Sequence, residues 1–149
     1  MAYCRGATRD VHLLLDRFPG LVRFVFRNYP IPQLHPYADL AAQAAEAAAA
    51  QGKFWEMHEL LLPPSSHLDL ESLVGYASRI ALDTDRFRDE VVSRAHASRI
   101  ARDVREGIRN GVNAMPKLYV DGQRLDGHLP LEGLVTSVEA AVARFVSAR

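Results

Sequence analysis

The chain has 149 residues, 48% of them apolar and 24% charged, with 18 basic and 18 acidic residues and zero formal net charge. That length suits one domain with a real core, and the balanced charge gives no electrostatic support to a nucleic-acid or anionic-membrane surface. No apolar run approaches the roughly 20 residues of a membrane span, the N-terminus lacks the order of a secretory signal, and the single cysteine excludes an intrachain disulfide, so the chain reads as cytoplasmic.

Residues 5–17 place Val11, Leu14 and Leu15, with Phe18 just beyond, at helical spacing between Arg and Asp, and Pro19-Gly20 stops the helix. Residues 21–27 are rich in β-formers and short, which predicts a strand buried on both faces apart from its arginines. The next stretch, with Pro30 and Pro32, is a loop. His35-Pro36 opens a long Ala-rich helix with Pro36 at its first position, Tyr37 and Leu40 giving it a side, and Gly52 ending it.

Residues 53–62 form a second helix with Phe54, Met57, Leu60 and Leu61 on one stripe. After Pro63-Pro64, Asp69 caps a third helix, with Leu68 and Leu73 placed as a hydrophobic staple. Asp83 caps a fourth, carrying Phe87 and Val91. Residues 95–108 continue helical through Ile100, Val104 and Ile108. The last amphipathic helix carries Leu131, Leu134, Val135, Val138, Val142 and Phe145.

Between these lies the stretch that organises the rest. Gly111-Val112-Asn113-Ala114-Met115-Pro116 reads as a loop, Lys117-Leu118-Tyr119-Val120 as a strand, Asp121-Gly122 as a hairpin turn, and residues 123–126 as the return strand. A proline can open a strand because its missing N–H falls outside the ladder. It is also the residue for which a cis bond is cheap, about 0.5–1 kcal/mol above trans. The residues leave both readings open: a trans proline starting an edge strand, or a cis proline that turns the Met115 backbone outward toward an extended peptide.

Other chemistry finds little support. The six histidines (His12, His35, His58, His67, His96, His128) show no paired ligand spacing, and no second Cys supports zinc, so no metal is expected. Trp55 with Phe54 and Met57 reads as packing of the helical block, ahead of the alternative that they line a groove above the site. Glu46, Glu56 and Glu59 read as helix-surface charge. No Ser-His-Asp signature, phosphate loop or dinucleotide fingerprint is present.

The order of elements, with an X-Pro loop before the hairpin, resembles a thioredoxin fold with an α-helical insertion. Met1-Ala2-Tyr3-Cys4-Arg5 stands where DsbA-like proteins have Cys-Pro-Tyr-Cys, residues 23–30 resemble the strand and loop that follow, and the run Gly52-Lys53-Phe54-Trp55-Glu56-Met57-His58 resembles the family's insertion. Residues 111–122 resemble its cis-proline loop, with Met115 where Thr or Val is more usual. On this resemblance the chain is one α/β domain, with 1–34 and 111–149 as its thioredoxin-like part and 35–110 as the insertion.

The resemblance implies thiol–disulfide exchange with a protein or peptide substrate. Such a site needs a thiolate at a helix N-terminus, where the helix dipole favours the charged form, and a second Cys to resolve the mixed disulfide. It implies that Cys4 holds the resolving position, that Pro116 is the cis-proline, and that Met115, Ala114 and Tyr3 contact substrate. Met1 occupies the nucleophile's place, and a thioether cannot attack a disulfide, so no dithiol catalysis is expected of the chain as written. Cys4 is then either an unreactive leftover thiol or the site of a mixed disulfide.

The family's first central strand is missing, which predicts an upstream start, a fragment, or a second chain or rearranged segment filling the gap, and makes a homodimer through open sheet edges a candidate assembly. Two other functions remain: a non-catalytic module that binds peptides or partners, and a single-thiol relative of the kappa-type transferases or isomerases. The latter makes glutathione the one cofactor to consider.

Overall fold

The computed structural model describes residues 2–125 and 131–147. Seven helices and two strands are described, in the order α1 (Ala2–Arg17), α2 (Ala38–Ala49), α3 (Phe54–Leu61), α4 (Leu70–Arg79), α5 (Thr84–Val92), α6 (Ala97–Arg109), β1 (Leu118–Val120), β2 (Gln123–Leu125) and α7 (Leu131–Ser147). They divide into two compact units, one made of Met1–Phe26 with Val112–Arg149, the other of Arg27–Gly111.

The helical unit, Arg27–Gly111, is built on α2, against which α3, α4, α5 and α6 all pack. Alanine makes this possible, because a side chain of one methyl lets neighbouring backbones approach. Ala44, Ala47 and Ala48 are fully buried and pack with Met57, Leu73, Ala77, Phe87 and Val91 in one core. The predicted caps form as drawn: Asp69 accepts the Ser72 backbone N–H at 3.0 Å and Asp83 accepts that of Arg86 at 3.0 Å. Leu68 packs against the core that contains Leu73, as a staple does. Gln51 clamps the start of α5 by accepting the Asp83 N–H at 2.8 Å and donating to the Asp83 carbonyl at 3.2 Å.

Three expectations for this unit need correction. First, α2 begins at Ala38, because His35 to Tyr37 form a separate turn closed by the Ala38 N–H to the His35 carbonyl at 2.9 Å. Tyr37 is 54% exposed, so alanines form the inward face; the helix ends at Ala49, and the chain leaves it through Gly52 at φ +76°. Second, Trp55 is 39% exposed. In a helix as short as α3, Met57 and His58 take the inward face and a residue two places before Met57 points away from it. Third, Glu46 is buried, since residues 42–48 of α2 are covered all round; its partners are given below.

The other unit packs α1 against α7. Val11 and Leu14 meet Leu134, Val135 and Val138, with Phe18, Val22, Phe24, Leu118 and Val120 half-buried around them. Arg17 and Glu139 join the two helices at 3.6 Å. β1 and β2 pair antiparallel, Leu118 opposite Leu125 and Val120 opposite Gln123. Asp121 at φ +49° and Gly122 at φ +76° give the left-handed pair that a two-residue hairpin demands, which is why Asp-Gly stands there. Of the predicted return strand, Asp126 lies outside the described residues.

The expected strand at residues 21–27 is not one. The described sheet has two strands, and this segment belongs to neither. A strand exists by pairing, and the described sheet joins β1 to β2. It keeps the alternation of a strand, however: Val22, Phe24 and Phe26 turn inward while Leu21, Arg23, Val25 and Arg27 are exposed. Burial on both faces is therefore also corrected, to burial on one.

Candidate functional site

Cys4 is the third residue of α1 and is half-buried, with a free thiol. The Thr8 hydroxyl donates to the Cys4 carbonyl at 3.1 Å, an i to i+4 bond that ties the first turn to the second. No acidic residue occupies that first turn, so nothing in its sequence opposes the positive end of the helix dipole. Met1 and the side chain of Tyr3 lie outside the described residues.

The loop before β1 belongs to the same unit as Cys4. Its Met115–Pro116 peptide bond is cis. Met115 is 39% exposed, Ala114 is exposed and Pro116 is half-buried. Gly111 enters the loop at φ +75°, a conformation that costs a residue with a Cβ about 1–2 kcal/mol. The described hydrogen bond of Cys4 stays within α1 and does not reach this loop.

Two features stand apart from these residues, and of them the buried polar cluster escaped the sequence reading. A groove of about 1190 Å³ opens in this unit, lined by α1, residues 20–24, β1 and α7. In the helical unit, Asn28 sits at 5% exposure between two buried carboxylates. Its side-chain Nδ2 donates to Glu46 at 2.7 Å and its backbone N–H donates to Asp103 at 3.1 Å. Arg99 Nε meets the second oxygen of Glu46 at 2.6 Å, and Arg27 reaches Asp103 at 3.2 Å. Each buried carboxyl group therefore has both a cation and an amide donor, so neither is buried without partners. A helix that is buried all round was the available signal for Glu46; no local pattern marks Asp103.

His58 is 7% exposed and stacks on Phe54 at 5.7 Å, which makes it a packing residue. Glu90 accepts from Arg86 and meets His96 Nε2, each at 2.8 Å. Burial raises the Glu90 carboxyl, but the bonds from His96 and Arg86 outweigh it and hold it below its usual value. Among the described residues no three His, Cys, Asp or Glu side chains gather as a metal site, and no helix is long and apolar enough to cross a membrane.

Comparison with known proteins fits this geometry. The thioredoxin family model matches residues 2–140. A solved thioredoxin-like oxidoreductase from Silicibacter pomeroyi superposes with a TM-score of 0.82 at 30% identity, over 95% of this chain and 80% of that one. Among curated relatives, the Na(+)/H(+) antiporter NhaA 1 of Salinispora arenicola is 44% identical over 141 residues, 95% of this chain but 22% of the relative. The antiporter NhaA 3 of Salinispora tropica is 44% identical over 147 residues, 99% of this chain and 22% of the relative. That of Herminiimonas arsenicoxydans is 35% identical over 140 residues, 94% and 22%. The chain thus spans about a fifth of the length of the curated relatives it matches. With the helical insertion, the small two-stranded sheet and the family match over nearly all its length, the chain belongs to the DsbA-like thioredoxin-fold family.

Proposed function

We propose that this chain carries out thiol–disulfide exchange through one thiol, Cys4, without the dithiol turnover of a two-cysteine enzyme. The observation that carries the reading is the placement of the chain's one cysteine, free and half-buried, in the first turn of α1. The Cys4 thiolate attacks a disulfide R–S–S–R′, a new Cys4–S–S–R bond forms, and the R′ thiolate leaves and takes up the proton that Cys4 gave to solvent. No second thiol of the chain can resolve that adduct, so an external thiol such as glutathione completes the cycle by the same step in reverse. Met115 and Ala114, exposed on the loop closed by Pro116, are the residues assigned to a peptide substrate, and Tyr3 stands with them by resemblance.

The test is intact-mass measurement after incubation with oxidised glutathione. One glutathionyl group per chain is expected, removed by reduced glutathione and absent in Cys4→Ser, with no catalysed reduction of insulin. Labelling of Cys4 no faster than a free cysteine, with no adduct, would make it an inert thiol. Insulin turnover abolished by Cys4→Ser would instead reinstate full catalysis.

The names of the relatives favour a second reading, a module that works alongside a membrane antiporter and binds a partner without redox chemistry. It predicts that Cys4→Ser leaves partner binding unchanged and that binding follows co-expression with an antiporter of the matched kind.

A further inference from the structure

Several charged side chains on α5, on α6 and between them are matched within the helical unit. Arg88 holds Glu71, Arg86 holds Glu90, Arg94 holds Asp39 and Arg99 holds Glu46, at 2.6 to 2.8 Å. Two exposed sets are not. Asp85 and Asp89 stand four residues apart on α5, and Arg102, Arg105 and Arg109 follow at steps of three and four on α6. None of these enters an ion pair or a side-chain hydrogen bond among the described residues. Arg88, the cation near Asp85, is turned to Glu71 by bonds of 2.7 and 2.8 Å.

Residues at steps of three and four come round to one side of a helix. Asp85, Asp89 and Val92 therefore share one face of α5, and Arg102, Arg105 and Arg109 share one face of α6 with Ile108 at its margin. Val92 is 62% and Ile108 61% exposed. Each stripe covers seven residue steps, about 10.5 Å of helix, and each has its exposed apolar residue toward the C-terminal end. Laid side by side in the same direction, Asp85 comes opposite Arg102, Asp89 opposite Arg105 and Val92 opposite Ile108. Asp85 in the first turn of α5 and Arg109 in the last turn of α6 also suit the dipole of their own helix. Asp89, Arg102 and Arg105 have no such task.

An acidic partner would answer the α6 stripe alone, and a basic one the α5 stripe alone. A second copy of this chain answers both, because it offers each stripe to its opposite. We propose that the helical unit self-associates, with α5 of one copy lying along α6 of another. The carboxylates of Asp85 and Asp89 meet the guanidinium groups of Arg102 and Arg105, and Val92 covers Ile108. Ion pairs between exposed side chains are individually weak, so the assembly forms at high protein concentration and comes apart as salt screens it. The unit that carries these faces contains neither Cys4 nor Met115, so association is independent of thiol chemistry.

The experiment is sedimentation equilibrium of the 149-residue protein, with Cys4 kept reduced by a phosphine, from about 10 μM to about 1 mM. Association is expected at about 50 mM salt and should weaken about tenfold or more at about 500 mM. Asp85→Arg with Asp89→Arg makes both stripes basic, and Arg102→Asp with Arg105→Asp makes both acidic. Each double variant alone is expected to be monomeric. An equimolar mixture of the two is expected to associate again, since every stripe then faces its opposite on the other variant. The milder Asp89→Asn and Arg105→Gln, which remove a charge at an exposed position without reversing it, are each expected to weaken association severalfold. A parent chain that stays monomeric, or association indifferent to both Asp89→Asn and Arg105→Gln, overturns the proposal. Double variants that melt with the parent and yet fail to associate when mixed overturn it equally.

Discussion

Removing the Asp103 carboxylate separates two contributions that the structure places on one side chain. Asp103 is 2% exposed and holds the Asn28 backbone N–H at 3.1 Å and Arg27 Nη1 at 3.2 Å. Arg27 has a side chain 55% exposed, so it recovers water when its partner is removed. Asn28, at 5% exposure, cannot: in Asp103→Ala its N–H stays buried with no acceptor. A buried unsatisfied donor costs about 1–3 kcal/mol and the vacated volume adds to this, which places Asp103→Ala near 3 kcal/mol. Asp103→Asn keeps a carbonyl oxygen for that N–H and loses mainly the half-exposed ion pair, for about 1 kcal/mol.

Trp55, the one tryptophan, lies in the same helical unit, so urea unfolding followed by its fluorescence reads the region directly. At about 2–4 °C per kcal/mol for a chain of this size, the alanine variant should melt roughly 6–12 °C lower and the asparagine variant a few degrees lower. Equal losses for the two variants, or a loss under about 1 kcal/mol for alanine, would refute the account in which the stranded amide rather than the ion pair sets the cost.

Phe87→Ala, at a fully buried position in the core of the helical unit, should cost about 3–5 kcal/mol in urea unfolding, and a loss near 1 would mean that the alanine face of α2 collapses into the space. The carboxyls of Asp69, Glu71 and Glu90 all sit below their ordinary values, through the Ser72 hydroxyl, the Arg88 guanidinium, and His96 with Arg86 working against burial. Folded values below unfolded ones mean that the unfolded chain binds more protons, so this stability is full above about pH 4.5 and is lost as pH falls through the folded values. Melting temperature against pH should show that fall, and Glu71→Gln with Glu90→Gln should flatten it. Gly122→Val in the hairpin turn, where φ is +76°, should cost about 1–2 kcal/mol and reduce amide protection at Leu118 and Val120. Unchanged protection there would show that the turn does not hold β1 and β2 together.

Where a signal is local, reading the residues sufficed. The N-caps at Asp69 and Asp83 and the left-handed turn at Asp121-Gly122 each depend on a few neighbours along the chain, and all are present at the expected residues. The family likeness also resides in short runs, the insertion motif around Trp55 and the loop before β1, and the matches over residues 2–140 follow from it. What the residues could not say was which surfaces find partners. Residues 21–27 have the composition and the alternation of a strand, yet pairing is a property of two segments, and the described sheet joins β1 to β2 instead. Glu46 carries the same charge as Glu56 and Glu59, and only the packing of several helices around α2 removes it from water and gives it Asn28 and Arg99. Caps and turns are settled by bonds within a few residues, whereas burial and strand pairing are settled by bonds across tens of them, and those exist only once the chain has folded.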